Sequence, residues 1–232
     1  MIEFKHVTKK YLQNVALDDV SFRLEPGKII GIVGENGSGK STTLKLMSGL
    51  VRPTHGTVLI NGESADRFIS KHVSYLSELD AFYPFFTVGD AADFAKSQFP
   101  DYNEQKANEI LQFMNLDRNV KVKNLSKGNR GRLKLALVLA REAPIIWMDE
   151  PLSGLEPLVR DSIVKGFVSF IDLEKQTLIV TTHEIKEIES LLDQVVFIRK
   201  GKVLAIEDVE EIRMNQGLSV VDWMKQQHAS IS

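Results

Sequence analysis

Three apolar runs stand out along the chain: "KIIGIV" at 28–33, "PIIWM" at 144–148 and "TLIVT" at 177–181, each bounded by Gly, Pro or charged residues. Unbroken runs of this length are the pattern of short strands covered on both faces, so they predict the centre of a sheet. Other segments alternate instead: "IEFKHV", "SFRL" ending at Pro26-Gly27, "GTVLI" closed by Asn61-Gly62, "HVSYL", and the pair "VVFIR" and "KVLAI" joined through Lys200-Gly201. Alternation with turn dipeptides at the ends predicts an antiparallel flank. Between Thr87 and Arg141 the period becomes helical. Helices are expected over Thr87–Phe99, Asn103–Asn115 and Ser126–Arg141, with Asn103 and Ser126 as N-caps. A further helix from Pro157 places Val159, Ile163, Phe167 and Phe170 on one face, and the chain beyond Glu207 reads as a helical tail. The expected class is α/β, with 1–78 and 143–232 forming a sheet core and 79–142 a helical insertion.

Chemistry enters at "GENGSGKS", Gly34–Ser41, which meets the pattern G-x-x-x-x-G-K-[ST] between a predicted strand and a predicted helix, Lys40–Ser48. Glycines let backbone N–H groups close around phosphate oxygens, and the helix N-terminus adds partial positive charge. In that arrangement Lys40 reaches the β/γ-phosphates and Ser41 ligates Mg²⁺. The run "IIWMDEP" ends a buried strand on two adjacent carboxylates. Strand alternation would aim them apart, Asp149 toward the metal shell and Glu150 toward the water that attacks the γ-phosphate.

A second helix start is unusual. "LSKGNRGRL", Leu125–Leu133, carries Lys127, Arg130 and Arg132 where the helix dipole favours carboxylates. The pattern makes sense if an anion from outside this chain docks there, the alternative being a solvated helix face.

Composition narrows the classes. The chain has 232 residues, 43% hydrophobic and 26% charged, enough for a substantial core. A formal net charge of -2 with no Lys/Arg-rich block gives no basic footprint, so nucleic acid is not expected as a main partner. Zero cysteines removes disulfides, thiolate metal sites and cysteine nucleophiles. Neither a signal-peptide core nor an apolar run of bilayer-spanning length is present, so the chain alone is expected to be soluble, and the lack of cysteine is compatible with a cytoplasmic location.

With these motifs in order, the chain resembles the nucleotide-binding subunit of an ATP-binding cassette (ABC) transporter nearly end to end. "GENGSGKST" resembles the Walker A loop, "IIWMDE" the Walker B strand with its catalytic glutamate, "LSKGN" the signature LSGGQ, "SGLEP" the D-loop, and "TTHE" the switch-histidine segment. The resemblance implies a P-loop NTPase, RecA-like core with an antiparallel β flank and an inserted helical subdomain. It implies ATP and Mg²⁺ as ligands. Glu150, His183 and Lys40 would be catalytic; Tyr11 would stack on adenine; Gly34, Asn36, Gly37, Ser38, Gly39, Lys40, Ser41 and Thr42 would hold phosphates; Ser41, Glu78 and Asp149 would hold the metal. Ser126, Lys127 and Gly128 would meet the γ-phosphate of ATP held by a partner, in a head-to-tail dimer with a second copy or a paralogous ATPase subunit. That partner's nucleotide is then the missing anion.

An integral membrane permease is the other implied partner, with the chain peripheral on the inner face of the membrane. The compact cassette resembles bacterial exporters of peptides, antimicrobials or lipids, and "AFYPFF", Ala81–Phe86, is the expected apolar part of the permease-facing surface. Departures from the family pattern are Glu78 for the Q-loop glutamine, Lys127 for glycine and Asn129 for glutamine in the signature, and Glu156 for aspartate in the D-loop. Two other readings stay open on the sequence: a soluble ABC ATPase without a permease, and a weakly active nucleotide-sensing module.

Overall fold

The computed structural model describes residues 1–77, 82–183 and 185–229. In chain order its elements begin with β1 (Ile2–Tyr11), β2 (Asn14–Leu24), β3 (Ile29–Val33), α1 (Lys40–Met47), β4 (His55–Ile60), β5 (Glu63–Ser64) and β6 (Val73–Leu76). Then come α2 (Val88–Gln98), α3 (Glu104–Phe113), α4 (Lys127–Leu139), β7 (Ile145–Asp149) and α5 (Pro157–Phe170). The chain closes through β8 (Thr177–Thr182), β9 (Gln194–Arg199), β10 (Lys202–Asp208), α6 (Val209–Gln216) and α7 (Val220–Ala229).

The three apolar runs become adjacent central strands, β3, β8 and β7, in a six-stranded sheet of order β10-β9-β3-β8-β7-β6. Every residue of these three strands is buried. Their side chains divide between two faces with period two. Ile146, Met148, Leu178 and Val180 meet helical residues such as Leu133, Ile163 and Phe167. Ile30, Ile32, Trp147 and Ile179 point the other way, toward Leu44 and Met47 of α1 and Phe4, Val20 and Val58 of the small sheet. Burial of a side chain such as Phe167 contributes about 2–3 kcal/mol.

The antiparallel flank is the four-stranded sheet β2-β1-β4-β5. Three segments expected in it, β6, β9 and β10, lie in the large sheet instead. β6 ("HVSYL") pairs parallel with β7, and β9 ("VVFIR") pairs parallel with β3, both in the large sheet. β6 imitates an alternating strand because Ser74 is polar yet buried, its hydroxyl donating to the Val138 carbonyl at 2.8 Å. Only β10 is antiparallel there, joined to β9 by a tight turn with positive φ at both Lys200 and Gly201.

The helices between β6 and β7 begin on the residues their caps require. Thr87 and Asp90 form a reciprocal capping box on α2, Asn103 accepts from the Lys106 amide on α3, and Ser126 accepts from the Asn129 amide on α4. The first two also place Asp90 and Glu104 in the first turn; α4 has no acid there. Arg141 fastens this helical segment to the sheet edge. Its buried guanidinium bonds both oxygens of Asp101 and the carbonyls of Val73 and Ser70, and lies 4.0 Å over the Phe99 ring. The C-terminal helices are packed rather than trailing: Trp223 is fully buried, its ring 6.2 Å from Phe197, and Glu189 accepts from the Val220 amide. Among the described residues no helix is long and apolar enough to cross a membrane.

Candidate functional site

The site is built where β3, β7 and β8 end. Beyond Val33 the chain makes a loop whose glycines the packing demands. Gly34 has φ of 154°, and a Cβ on it would fall 2.1 Å from the Ile198 carbonyl oxygen. Gly39, with φ of 117°, caps α1 so tightly that a Cβ would meet the Ala16 oxygen at 2.8 Å. No side chain caps α1 and no acid lies in its first turn. Its amides therefore point, with the helix dipole, into the space in front of the loop.

The side chains around that space form one connected set. Lys40, 5% exposed, donates to the carbonyls of Gly34 and Glu35 at 2.9 and 3.2 Å and lies 3.4 Å from Glu150 Oε1. Ser41 donates to Asp149 Oδ1 at 3.0 Å, and the Thr181 hydroxyl donates to the same oxygen at 2.7 Å. His183 Nδ1 donates to Glu150 Oε2 at 2.8 Å. Asp149 and Glu150 do take different directions, but strand alternation is not the cause. β7 stops at Asp149, and Glu150 has φ of 48°, a left-handed residue held by its amide donating to the Thr181 hydroxyl and carbonyl at 3.0 and 3.2 Å.

These groups open onto a cleft of about 460 Å³ walled by Tyr11, Asn36, Gly37, Gly39, Lys40, Ser41, Thr42, Glu150 and His183. Tyr11, 40% exposed, is the last residue of β1, opposite Asn14 in the hairpin. Asn14, Ala16 and Ser153 also line the cleft. Asn14 and Ala16 carried no signal in the sequence, whereas Ser153 and Thr181 lie in the segments "SGLEP" and "TTHE", which singled out neither residue by itself. Small and polar residues at strand ends and turns are recognisable as site residues only once the walls are assembled.

The donor set fits a phosphorylated ligand. Ser38 Oγ is buried without a hydrogen-bond partner among the described residues, the α1 amides are uncapped, and the glycine positions leave a cradle that a Cβ would fill. Ser41 and Asp149 offer hard oxygen donors suited to a magnesium ion that completes its shell with phosphate and water. The third metal ligand expected from the sequence, Glu78, lies outside the described residues.

Ser126 and Gly128 do not line this cleft. Lys127 borders a smaller one of about 200 Å³, shared with Asp149, Glu150 and Ser153, and its ammonium lies over Gly154. Arg132 is engaged within the chain: Nε donates to Ser162 Oγ at 3.1 Å and Nη1 to Asn129 Oδ1 at 3.2 Å. For Arg132 this answers the question left by the helix-start pattern. It braces α4 against α5.

The apolar segment expected to face a permease divides. Phe82 and Phe86 pack on the core, whereas Tyr83 and Phe85 are 51% and 70% exposed; Ala81 lies outside the described residues. With Phe94 they form an aromatic cluster, ring centroids 5.0–6.0 Å apart, beside a cleft of about 290 Å³ between β6 and α4.

Comparison with known proteins agrees with this geometry. Residues 17–153 match the ABC transporter family model. Over 92% of its length the chain is 26% identical to the ABC transporter ATP-binding protein YtrB of Bacillus subtilis, covering 74% of that protein. Over 88% of its length it is 32% identical to the Nod factor export ATP-binding protein I of Burkholderia orbicola, covering 69% of it. Among solved structures, an ATP-binding subunit of an ABC transporter superposes with a TM-score of 0.86 at 25% identity, over 98% of this chain and 99% of that one. A dimeric bacterial ABC transporter cassette does so with a TM-score of 0.79 at 25% identity, over 90% and 99%. Phosphate loop, paired carboxylates, histidine and fold thus converge: the chain belongs to the ABC transporter family, as one of its ATP-binding, ATP-hydrolysing subunits.

Proposed function

We propose that two copies of this chain, or this chain and a paralogous subunit, close head to tail around two Mg-ATP and drive export through a separate membrane permease. One observation carries the reading: α1 and α4 both start without acid in the first turn and open on a lysine, Lys40 and Lys127, yet the α1 cleft contains neither Ser126 nor Gly128. Each chain offers one half of a phosphate site, and a partner's α4 completes it. The dimeric cassette among the structural relatives supports this arrangement.

In the closed site Tyr11 stacks on the adenine, the amides of 37–42 and Lys40 hold the phosphates, and Ser126, Lys127 and Gly128 reach the γ-phosphate from across the interface. Ser41 and Asp149, with Glu78, would hold magnesium, which neutralises phosphate charge when bound. Glu150 accepts the proton of the attacking water, and His183 holds its carboxylate in place through the 2.8 Å bond. The exposed Tyr83, Phe85 and Phe94 form the surface for the permease, an apolar patch of the kind that marks an interface. The location that goes with this reading is the cytoplasmic face of the membrane. The export-type relative supports outward movement of cargo.

The experiment is Glu150→Gln, assayed for phosphate release and for mass by light scattering with ATP, in protein purified from membranes in mild detergent. Loss of the general base costs about 10²–10⁴-fold in turnover. The expected result is no measurable turnover, an ATP-dependent dimer, and a stoichiometric multi-span protein in the preparation. Undiminished hydrolysis would overturn the role of Glu150, a persistent monomer the composite site, and absence of a membrane partner the transporter assignment.

A further inference from the structure

Arg160 is used by none of the roles above. It lies in the first turn of α5, and its guanidinium bonds two segments, each next in the chain to a residue of the ATP cleft, Ser153 or His183. Nε donates to the Leu155 carbonyl at 2.7 Å, within the 151–156 turn whose Ser153 lines the cleft. The guanidinium also pairs with the carboxylate of Glu187, in the single turn of 3₁₀ helix Ile185–Glu187 that follows His183. Only about a quarter of either side chain is exposed, Arg160 at 23% and Glu187 at 25%, so the pair is shielded relative to an ordinary surface ion pair. Arginine suits the task because its planar fork fixes two acceptors at a set angle, which a lysine ammonium cannot do.

We propose that Arg160 is a positioning residue for ATP hydrolysis, locking the 151–156 turn to the switch-histidine segment so that Ser153, Glu150 and His183 keep their mutual geometry. The Ser153 amide already donates to the Glu150 carbonyl, and His183 bonds the Glu150 side chain. Arg160 and Glu187 close the remaining side of that loop of contacts. Phosphate binding does not pass through Arg160, so the inference needs hydrolysis at this cleft but not the head-to-tail dimer.

The test measures kcat, KM and the affinity for a fluorescent ATP analogue in Arg160→Ala, Glu187→Gln and the double variant, with melting temperature alongside. Misplacing a reacting group costs about a hundredfold or less. The expected outcome is a kcat lowered about tenfold in each single variant, with KM and analogue affinity within twofold. The double variant should be no slower than Arg160→Ala alone, because the two residues act as one unit. Arg160→Lys, which keeps a charge for Glu187 without the fork, should recover only part of the rate. Multiplying losses in the double variant would overturn the proposal, as would an unchanged kcat in Glu187→Gln or a loss expressed in KM. If Arg160→Ala fails to fold, Glu187→Gln and Arg160→Lys still decide. A failure of the site assignment itself shows separately, as hydrolysis surviving Glu150→Gln.

Discussion

The N-termini of α1 and α4 resemble each other in charge and differ in what surrounds them. Both lack acid in the first turn, as α5 also does, and both open on a lysine, Lys40 and Lys127, while α2, α3 and α6 carry Asp90, Glu104, and Glu210 with Glu211 there. The dipole of α1 faces a cleft furnished within the same chain: Lys40 and Ser41 on the helix, Asp149 and Glu150 from β7, His183 after β8. The start of α4 is capped by Ser126 and braced by Arg132 on Ser162, and neither Ser126 nor Gly128 lines the α1 cleft. One terminus is a complete binding half. The other, on the proposed reading, meets a nucleotide held by a partner chain, and the lesson is that an uncompensated helix dipole gains meaning from its neighbours.

Substitutions can break that contrast. Lys40→Ala strikes the self-furnished half: losing one charge-assisted contact to phosphate, worth about 1.5–3 kcal/mol, should weaken ATP binding about ten- to a hundredfold by equilibrium titration of the isolated chain. Retained affinity would mean that the α1 cleft is not the phosphate site. Ser126→Ala strikes the other half and should separate binding from turnover. Monomer affinity for ATP stays within twofold while steady-state hydrolysis falls about tenfold or more, since a donor aimed at developing charge is removed. Equal losses in both assays would move Ser126 into the primary cleft and erase the contrast. The smallest effect belongs to Arg132→Ala, where two in-chain hydrogen bonds are lost. Thermal or urea unfolding should show about 1–2 kcal/mol of destabilisation, with hydrolysis within twofold. A tenfold fall in hydrolysis there would give Arg132 a role toward the partner's anion.

Local features were legible along the chain because each depends on residues close in sequence. The strand, glycine loop and helix of residues 28–48 follow from an apolar run, glycines that alone tolerate φ of 154° and 117°, and the missing cap on α1. The caps Asn103 and Ser126 and the turn at Lys200-Gly201 are legible for the same reason. Strand partners were not. β6 and β9 are given parallel neighbours by residues that are far away in the chain, Ile145–Met148 for β6 and Ile30–Val33 for β9, so their alternating look led to the wrong sheet.

The same division runs through the site. Sequence by itself marked residues that the structure gathers at one cleft, because a phosphate loop, a strand ending in Asp-Glu and a histidine after an apolar run are chemical types at fixed spacing. Tertiary structure alone decided how they are aimed. Glu150 turns toward His183 because Thr181, thirty-one residues on, holds its amide, and Arg160 spans from Leu155 to Glu187 because α5 packs beside the switch segment. Such contacts join residues whose separation in sequence has no fixed value, and only the packing of the sheet and helices brings them within hydrogen-bonding distance.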